Sequence, residues 1–167
     1  MKRKVVKRLP NSKMCFSCGA NNRAGLQAAF YVLEGKELAV LFTPREEHQG
    51  YPGILHGGIA GAILDEAIGR AILVDNDNVW GVTVELYTKY HKPVPLGEEL
   101  RVLSRITKET KRTFEGTGEI LLGSGEVAVS AYGKYVKLPY ARITDSEEQN
   151  GERFIYTCGK ELEEIDI

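Results

Sequence analysis

The sequence predicts an α+β fold, an antiparallel sheet wrapped around one long central helix. Three observations carry that expectation. A single run, residues 57–74 (GGIAGAILDEAIGRAILV), is long and apolar enough to form a buried helix. Six shorter runs alternate or cluster apolar residues as strands do. The connections in the second half are short and rich in Pro, Gly and Ser, which suits antiparallel neighbours.

Taken in order, residues 1–24 read as an irregular segment: basic at first, then Pro10-Asn11-Ser12 and Cys15-Phe16-Ser17-Cys18-Gly19. Leu26, Ala28, Phe30 and Val32 alternate, as do Leu38, Val40 and Phe42, and Glu34-Gly35-Lys36 between them makes a hairpin. Residues 44–55 form a loop rich in turn formers, and the helix then runs to Asp75-Asn76-Asp77-Asn78. Four strands follow at 79–92, 98–108, 112–122 and 125–138. Gly116-Thr117-Gly118 and Gly123-Ser124-Gly125 read as turn or bulge glycines, since no helix follows to make a phosphate loop. The segment 140–167 is an acidic, partly unstructured tail in which Phe154-Ile155-Tyr156 is able to dock. One domain over 25–139 results.

Composition narrows the function. At 167 residues the chain holds one well-cored domain. A net charge of −1 offers no global field for nucleic acid or anionic lipid. No apolar run reaches the length of a membrane span, and the basic start lacks the apolar core of a secretion signal. Three cysteines, an odd number, fit a reducing cytoplasm better than a disulfide framework.

The helix carries the chemistry. His56-Gly57-Gly58 opens it, and the first-turn N–H groups of a helix polarise a carbonyl placed against them. Asp65 and Glu66 lie mid-helix, about 100° apart around the axis. Glu66 has Arg70 four residues on and is satisfied by an ordinary ion pair. Asp65 lies between Gly61 and Gly69 at the same spacing, so no neighbour on its own stripe serves it. Two roles stay open for Asp65, a bond to a loop or strand elsewhere and catalysis. Eight residues of helix place Asp65 roughly 12 Å from Gly57, whereas catalytic contacts need about 3 Å. If both act on one carbonyl, they come from two copies of the chain.

The string His48-Gln49-Gly50-Tyr51-Pro52-Gly53-Ile54-Leu55-His56-Gly57-Gly58, followed by Leu64-Asp65-Glu66, resembles the hot-dog-fold thioesterases of the phenylacetate-pathway type. Thr83-Val84-Glu85-Leu86, Tyr90 and Lys92-Pro93-Val94-Pro95-Leu96-Gly97 are similar to that family's third strand and turn. The Cys15–Gly19 string with Asn22 and Gly25-Leu26 resembles a subgroup. The resemblance covers roughly 26–138 and implies acyl-coenzyme A hydrolysis in a homodimer, often paired again into a homotetramer. It implies that Gly57 N–H holds the thioester oxygen, that Asp65 is general base or nucleophile, and that Thr83 assists the water. Some relatives carry Asn or Gln seven residues before the first glycine, where this chain has Gly50, and Gln49 is the adjacent substitute.

The expected site is therefore Asp65, Gly57, His56 and Thr83 for catalysis, with Gln49 and Gly58 binding substrate. Thiolate leaves a thioester with little acid assistance, so no metal and no other cofactor is expected. Lys89, His91, Lys92, Lys111, Arg112 and Lys134 are available to coenzyme A phosphates, but each reads first as solvated charge and none is named as a site. Cys15-x-x-Cys18 supplies half of a zinc site, while Cys158 stands far along the chain without a pair. A redox CxxC would open a helix after a strand, and this one does not. Rival readings are a non-catalytic acyl-CoA binding module, a hot-dog dehydratase or hydratase, and a zinc-bearing interaction protein.

Overall fold

The computed structural model describes residues 1–76, 78–143 and 158–167. The strands are β1 (Lys2–Leu9), β2 (Ala29–Leu33), β3 (Glu37–Phe42), β4 (Gln49–Tyr51) and β5 (Ile54–Leu55), then β6 (Trp80–Tyr90), β7 (Leu100–Glu109), β8 (Thr113–Leu121), β9 (Val127–Leu138) and β10 (Glu164–Asp166). The helix α1 spans Gly57–Arg70 and tightens into a 3₁₀ turn over Ala71–Val74. Eight strands form one antiparallel sheet in the order β10-β1-β2-β3-β7-β8-β9-β6, and β4 pairs with β5 as a small separate hairpin. This is the hot-dog arrangement, with α1 seated in the curved sheet.

Burial explains why the helix lies there. Ala60, Ile63, Leu64, Ala67 and Ile68 are at most 1% exposed and pack on Phe30, Val40, Val102, Phe114 and Ile120 from the sheet. The helix approaches β8 closely. A Cβ at Gly118 would lie 3.0 Å from Ile68 Cγ1, and one at Gly116 would lie 2.8 Å from both Ile68 Cγ2 and the Arg105 carbonyl oxygen. The expectation of a turn at these glycines is corrected: they are mid-strand residues that clear room for α1. A bulge does lie alongside, since Thr107 is the extra residue between Ile106↔Gly116 and Lys108↔Glu115.

Three further expectations change. Residues 2–9, read as irregular, form β1 against β2. The signal is weak because Lys and Arg occupy most of the strand, and their aliphatic stems cover apolar surface while the charged ends reach water. The acidic end is strand rather than unstructured over Glu164–Asp166, where it pairs with Lys2–Lys4. The two charged segments complete each other: Lys2–Glu164 and Arg8–Glu161 are ion pairs at 3.2 and 3.0 Å. Residues 158–167 also cover the outer face of β2, where Tyr31 hydroxyl donates to the Lys160 carbonyl at 2.6 Å and Ile165 is buried. Phe154-Ile155-Tyr156 lies outside the described residues. Finally, residues 44–55 hold a 3₁₀ turn at Glu46–His48 and the β4–β5 hairpin rather than a plain loop.

Candidate active site

His56 is the N-cap of α1, with extended backbone (φ −64°, ψ 133°) and a side chain that accepts the Gly58 N–H at Nδ1 (2.9 Å). The imidazole thus satisfies one first-turn donor and fixes the angle at which the chain enters the helix. Gly57 follows as the first helical residue, and its N–H has no carbonyl four residues back inside the helix. Tyr90, near the end of β6, donates its hydroxyl to the Gly57 carbonyl (2.7 Å). Its ring lies 3.4 Å from where a Gly57 Cβ would sit, so glycine keeps this helix start open. Gln49 is exposed on β4, and Gly50 beside it packs against His56, a Cβ there lying 3.1 Å from His56 Cα.

Two turns further on, Asp65 is held from the sheet. Thr83 hydroxyl lies 2.9 Å from Asp65 Oδ1 and 3.2 Å from Oδ2, and Tyr135 hydroxyl lies 3.0 Å from Oδ1. Thr83 and Tyr135 are direct cross-strand partners in the β6–β9 register, so both side chains point to one face of the sheet. Val84 is a bulge residue next to Thr83, at the position where a bulge re-aims a side chain. Tyr135 is 1% exposed and stacks on Phe114, with ring centroids 4.9 Å apart. Burial, then the Asp65 charge, push its phenol well above the usual tyrosine range, so it acts as a fixed donor. Both hydroxyls crowd Oδ1, leaving Oδ2 with the longer Thr83 contact.

The Gly61-Asp65-Gly69 stripe offers Asp65 no partner of its own, and its partners come from the sheet: a Cβ at Gly69 would sit 3.2 Å from Tyr135 Cε1, so that glycine makes room for the ring that binds Asp65. Tyr135 and Tyr90 are the site residues that sequence reasoning missed. The Gly133-x-Tyr135 alternation on one strand face is the one hint of a ring lying close to backbone. His48, by contrast, is a core residue. It is 1% exposed, accepts the Arg45 N–H at Nδ1 (3.0 Å) and places Nε2 3.0 Å from the Ala24 carbonyl.

Gly57 and Asp65 stand at opposite ends of the first two turns of one straight helix, roughly 12 Å apart along its axis. Beside Asp65, β6 is the edge strand of the sheet, with Val84, Tyr87 and Tyr90 each more than half exposed in the single chain. Of the basic residues available to phosphates, Lys92 is paired with Glu126 and His91 with Ser130. Near the helix start, Ile54, Lys92, Pro93, Pro95, Leu122 and Ser124 line an open cleft.

Glu66 pairs with Arg70 as the spacing predicts, with Nε 3.9 Å from Oε1. Its other oxygen accepts from the Cys15 thiol (3.7 Å). Desolvation, then the neighbouring Cys18 thiol, push the Glu66 carboxyl up to about 7 against the pull of Arg70. Cys15, Cys18 and Glu66 are thereby the described residues able to hold a metal, with ligand atoms within 4.8 Å of one another.

Comparisons with known proteins find the same fold. Residues 52–129 match the family model described as thioesterase superfamily. Human acyl-coenzyme A thioesterase 13 is 29% identical over 92 residues, which is 55% of this chain and 65% of that protein. An uncharacterized protein of Schizosaccharomyces pombe is 33% identical over 98 residues, 58% of this chain and 56% of its own length. The chain thus spans between half and two thirds of these curated relatives. Among solved structures, a thioesterase superfamily protein superposes with a TM-score of 0.61 at 30% identity, covering 65% of this chain and 53% of the other. A hypothetical thioesterase of Streptococcus pneumoniae solved with coenzyme A superposes with a TM-score of 0.57 at 18% identity, covering 62% and 82%.

Proposed function

We propose that this chain, whose residues 52–129 match the thioesterase superfamily model, is an acyl-CoA thioesterase working as a homodimer or a pair of such dimers. The observation that carries the reading is the Asp65 carboxylate, gripped at one oxygen by Thr83 and Tyr135 beside an open sheet edge. In each composite site Gly57 N–H, aided by the positive end of the helix dipole, stabilises the oxyanion that develops on the thioester carbonyl. Asp65 of the partner subunit takes a proton from water, or attacks directly, and Thr83 beside it positions that water. His56 orients the helix start, and Gly58 and Gln49 line the thioester side.

Coenzyme A accompanies the S. pneumoniae thioesterase, and acyl-coenzyme A is the substrate named for the human relative, which supports the same substrate class here. The carboxylate's partners also weigh against hydration or dehydration chemistry by an Asp–His pair. Among the described residues Asp65 is bonded by hydroxyls and not by a histidine. We place the protein in the cytoplasm: its three thiols are unpaired, and no described helix is long and apolar enough to cross a membrane. The test is thiol release from short, long and aryl acyl-CoAs. Turnover of at least one of them, lost in Asp65→Asn, supports the reading, whereas binding of acyl-CoA without thiol release identifies a non-catalytic binding module.

A further inference from the structure

One residue beyond Asp65, and about 100° round the helix, Glu66 turns toward the N-terminal segment. There Cys15-Phe16-Ser17-Cys18-Gly19 folds into a tight knuckle, closed by a hydrogen bond from Gly19 N–H to the Cys15 carbonyl (2.7 Å). The knuckle depends on glycine, since a Cβ at Gly19 would fall 2.4 Å from the Cys15 carbonyl oxygen. It brings both sulfurs to one side, toward Glu66. Cys18 is fully buried, and Ser12 hydroxyl lies 3.4 Å from its sulfur. The two sulfurs and a Glu66 carboxylate oxygen lie within 4.8 Å of one another.

We propose that Cys15, Cys18 and Glu66 form a zinc site, two thiolates and one carboxylate oxygen with water as the fourth ligand, fastening the N-terminal segment to α1. The donor set suits a borderline-soft ion that accepts sulfur and oxygen together. A tetrahedron with metal–sulfur bonds of about 2.3 Å and metal–oxygen bonds of about 2.0–2.2 Å needs donors roughly 3.5–3.8 Å apart. The Cys15 sulfur already stands at that spacing from a Glu66 carboxylate oxygen, at 3.7 Å. What the linear sequence lacked was a third ligand, and the helix provides it 48 residues beyond Cys18. Cys158 stands outside the set, its sulfur 4.0 Å from the Cys18 carbonyl oxygen.

The experiment is metal analysis of the full chain, purified without a histidine tag or chelator, kept reduced, and dialysed against zinc and then against buffer. Wild type is expected to retain about one zinc per chain, and so is Cys158→Ser. Cys15→Ser and Cys18→Ser lose it, and Glu66→Gln weakens zinc affinity by at least about tenfold. Should a cysteine variant fail to fold, cobalt titration of wild type and Glu66→Gln still decides the matter. A thiolate-to-cobalt charge-transfer band is expected, altered in the glutamine variant. Absence of stoichiometric zinc and of that band, zinc retained by the Cys15→Ser/Cys18→Ser double variant, or zinc lost from Cys158→Ser overturns the proposal. So does a chain that forms a Cys15–Cys18 disulfide and binds no zinc once reduced. None of these readouts depends on thioester hydrolysis.

Discussion

Asp65 accepts two hydroxyl hydrogen bonds on one oxygen, and this asymmetry defines what each neighbour contributes. Converting the carboxylate to an amide keeps its shape and removes the base, so Asp65→Asn and Asp65→Ala are expected to lower kcat by about 10²–10⁴-fold. Tyr135→Phe removes only the positioning donor. Steady-state kinetics should show kcat lowered about tenfold with KM little changed, alongside about 1 kcal/mol of lost stability from the missing buried hydrogen bond. Wild-type turnover in both Asp65 variants would remove the residue from the mechanism. Asp65 was legible in the sequence because its helical stripe offers it nothing, whereas Thr83 came from family likeness. Tyr135 was not legible. It is one of eight tyrosines, it lies 70 residues from Asp65, and only the β6–β9 register sets it opposite Thr83.

At the scale of elements, the contact between α1 and β8 sets how deeply the helix sits. A methyl group at Gly116 meets backbone as well as a side chain, so it cannot be relieved by a rotamer change. Urea unfolding should find Gly116→Ala destabilised by about 1–3 kcal/mol, as overpacked core positions are. Gly123, where an added Cβ meets nothing within 4 Å, provides the control and should change stability by less than about 0.5 kcal/mol as alanine. Equal effects at the two sites would mean that helix seating does not restrict position 116. The four later strands were readable from period and turn residues to within two residues at their ends, and so was the central helix, whose last four expected residues tighten into a 3₁₀ turn. The first and last strands were not. A strand of Lys and Arg hides its alternation, and the C-terminal acids that pair with it, Glu161 and Glu164, stand more than 150 residues away.

At the scale of the whole molecule, an edge strand bearing Val84, Tyr87 and Tyr90 as exposed side chains beside the carboxylate is a surface that a second copy of the chain would cover. Analytical ultracentrifugation is expected to find a dimer or larger assembly. Val84→Asp on that edge should yield monomers that stay folded yet lose most thiol release, and an active monomer would contradict the shared site. Helix arithmetic in the sequence already asks for two copies if Gly57 and Asp65 act together, whereas the proposed shared face was not visible there. Which strand is left at the sheet edge depends on topology, and β6 is fifth from last in the chain.

The most direct measurement pairs two inactive chains. Gly57→Pro deletes the amide donor at the first helical position, where proline is tolerated, and Asp65→Asn deletes the acid. Unfolded together in equal amounts and refolded, half the dimers are mixed and each carries one intact site, so thiol release should recover to about a quarter of wild type. Recovery to that level is the result expected if donor and acid meet across two subunits. Activity no greater than that of either variant alone, with mixed dimers demonstrably present, would contradict it.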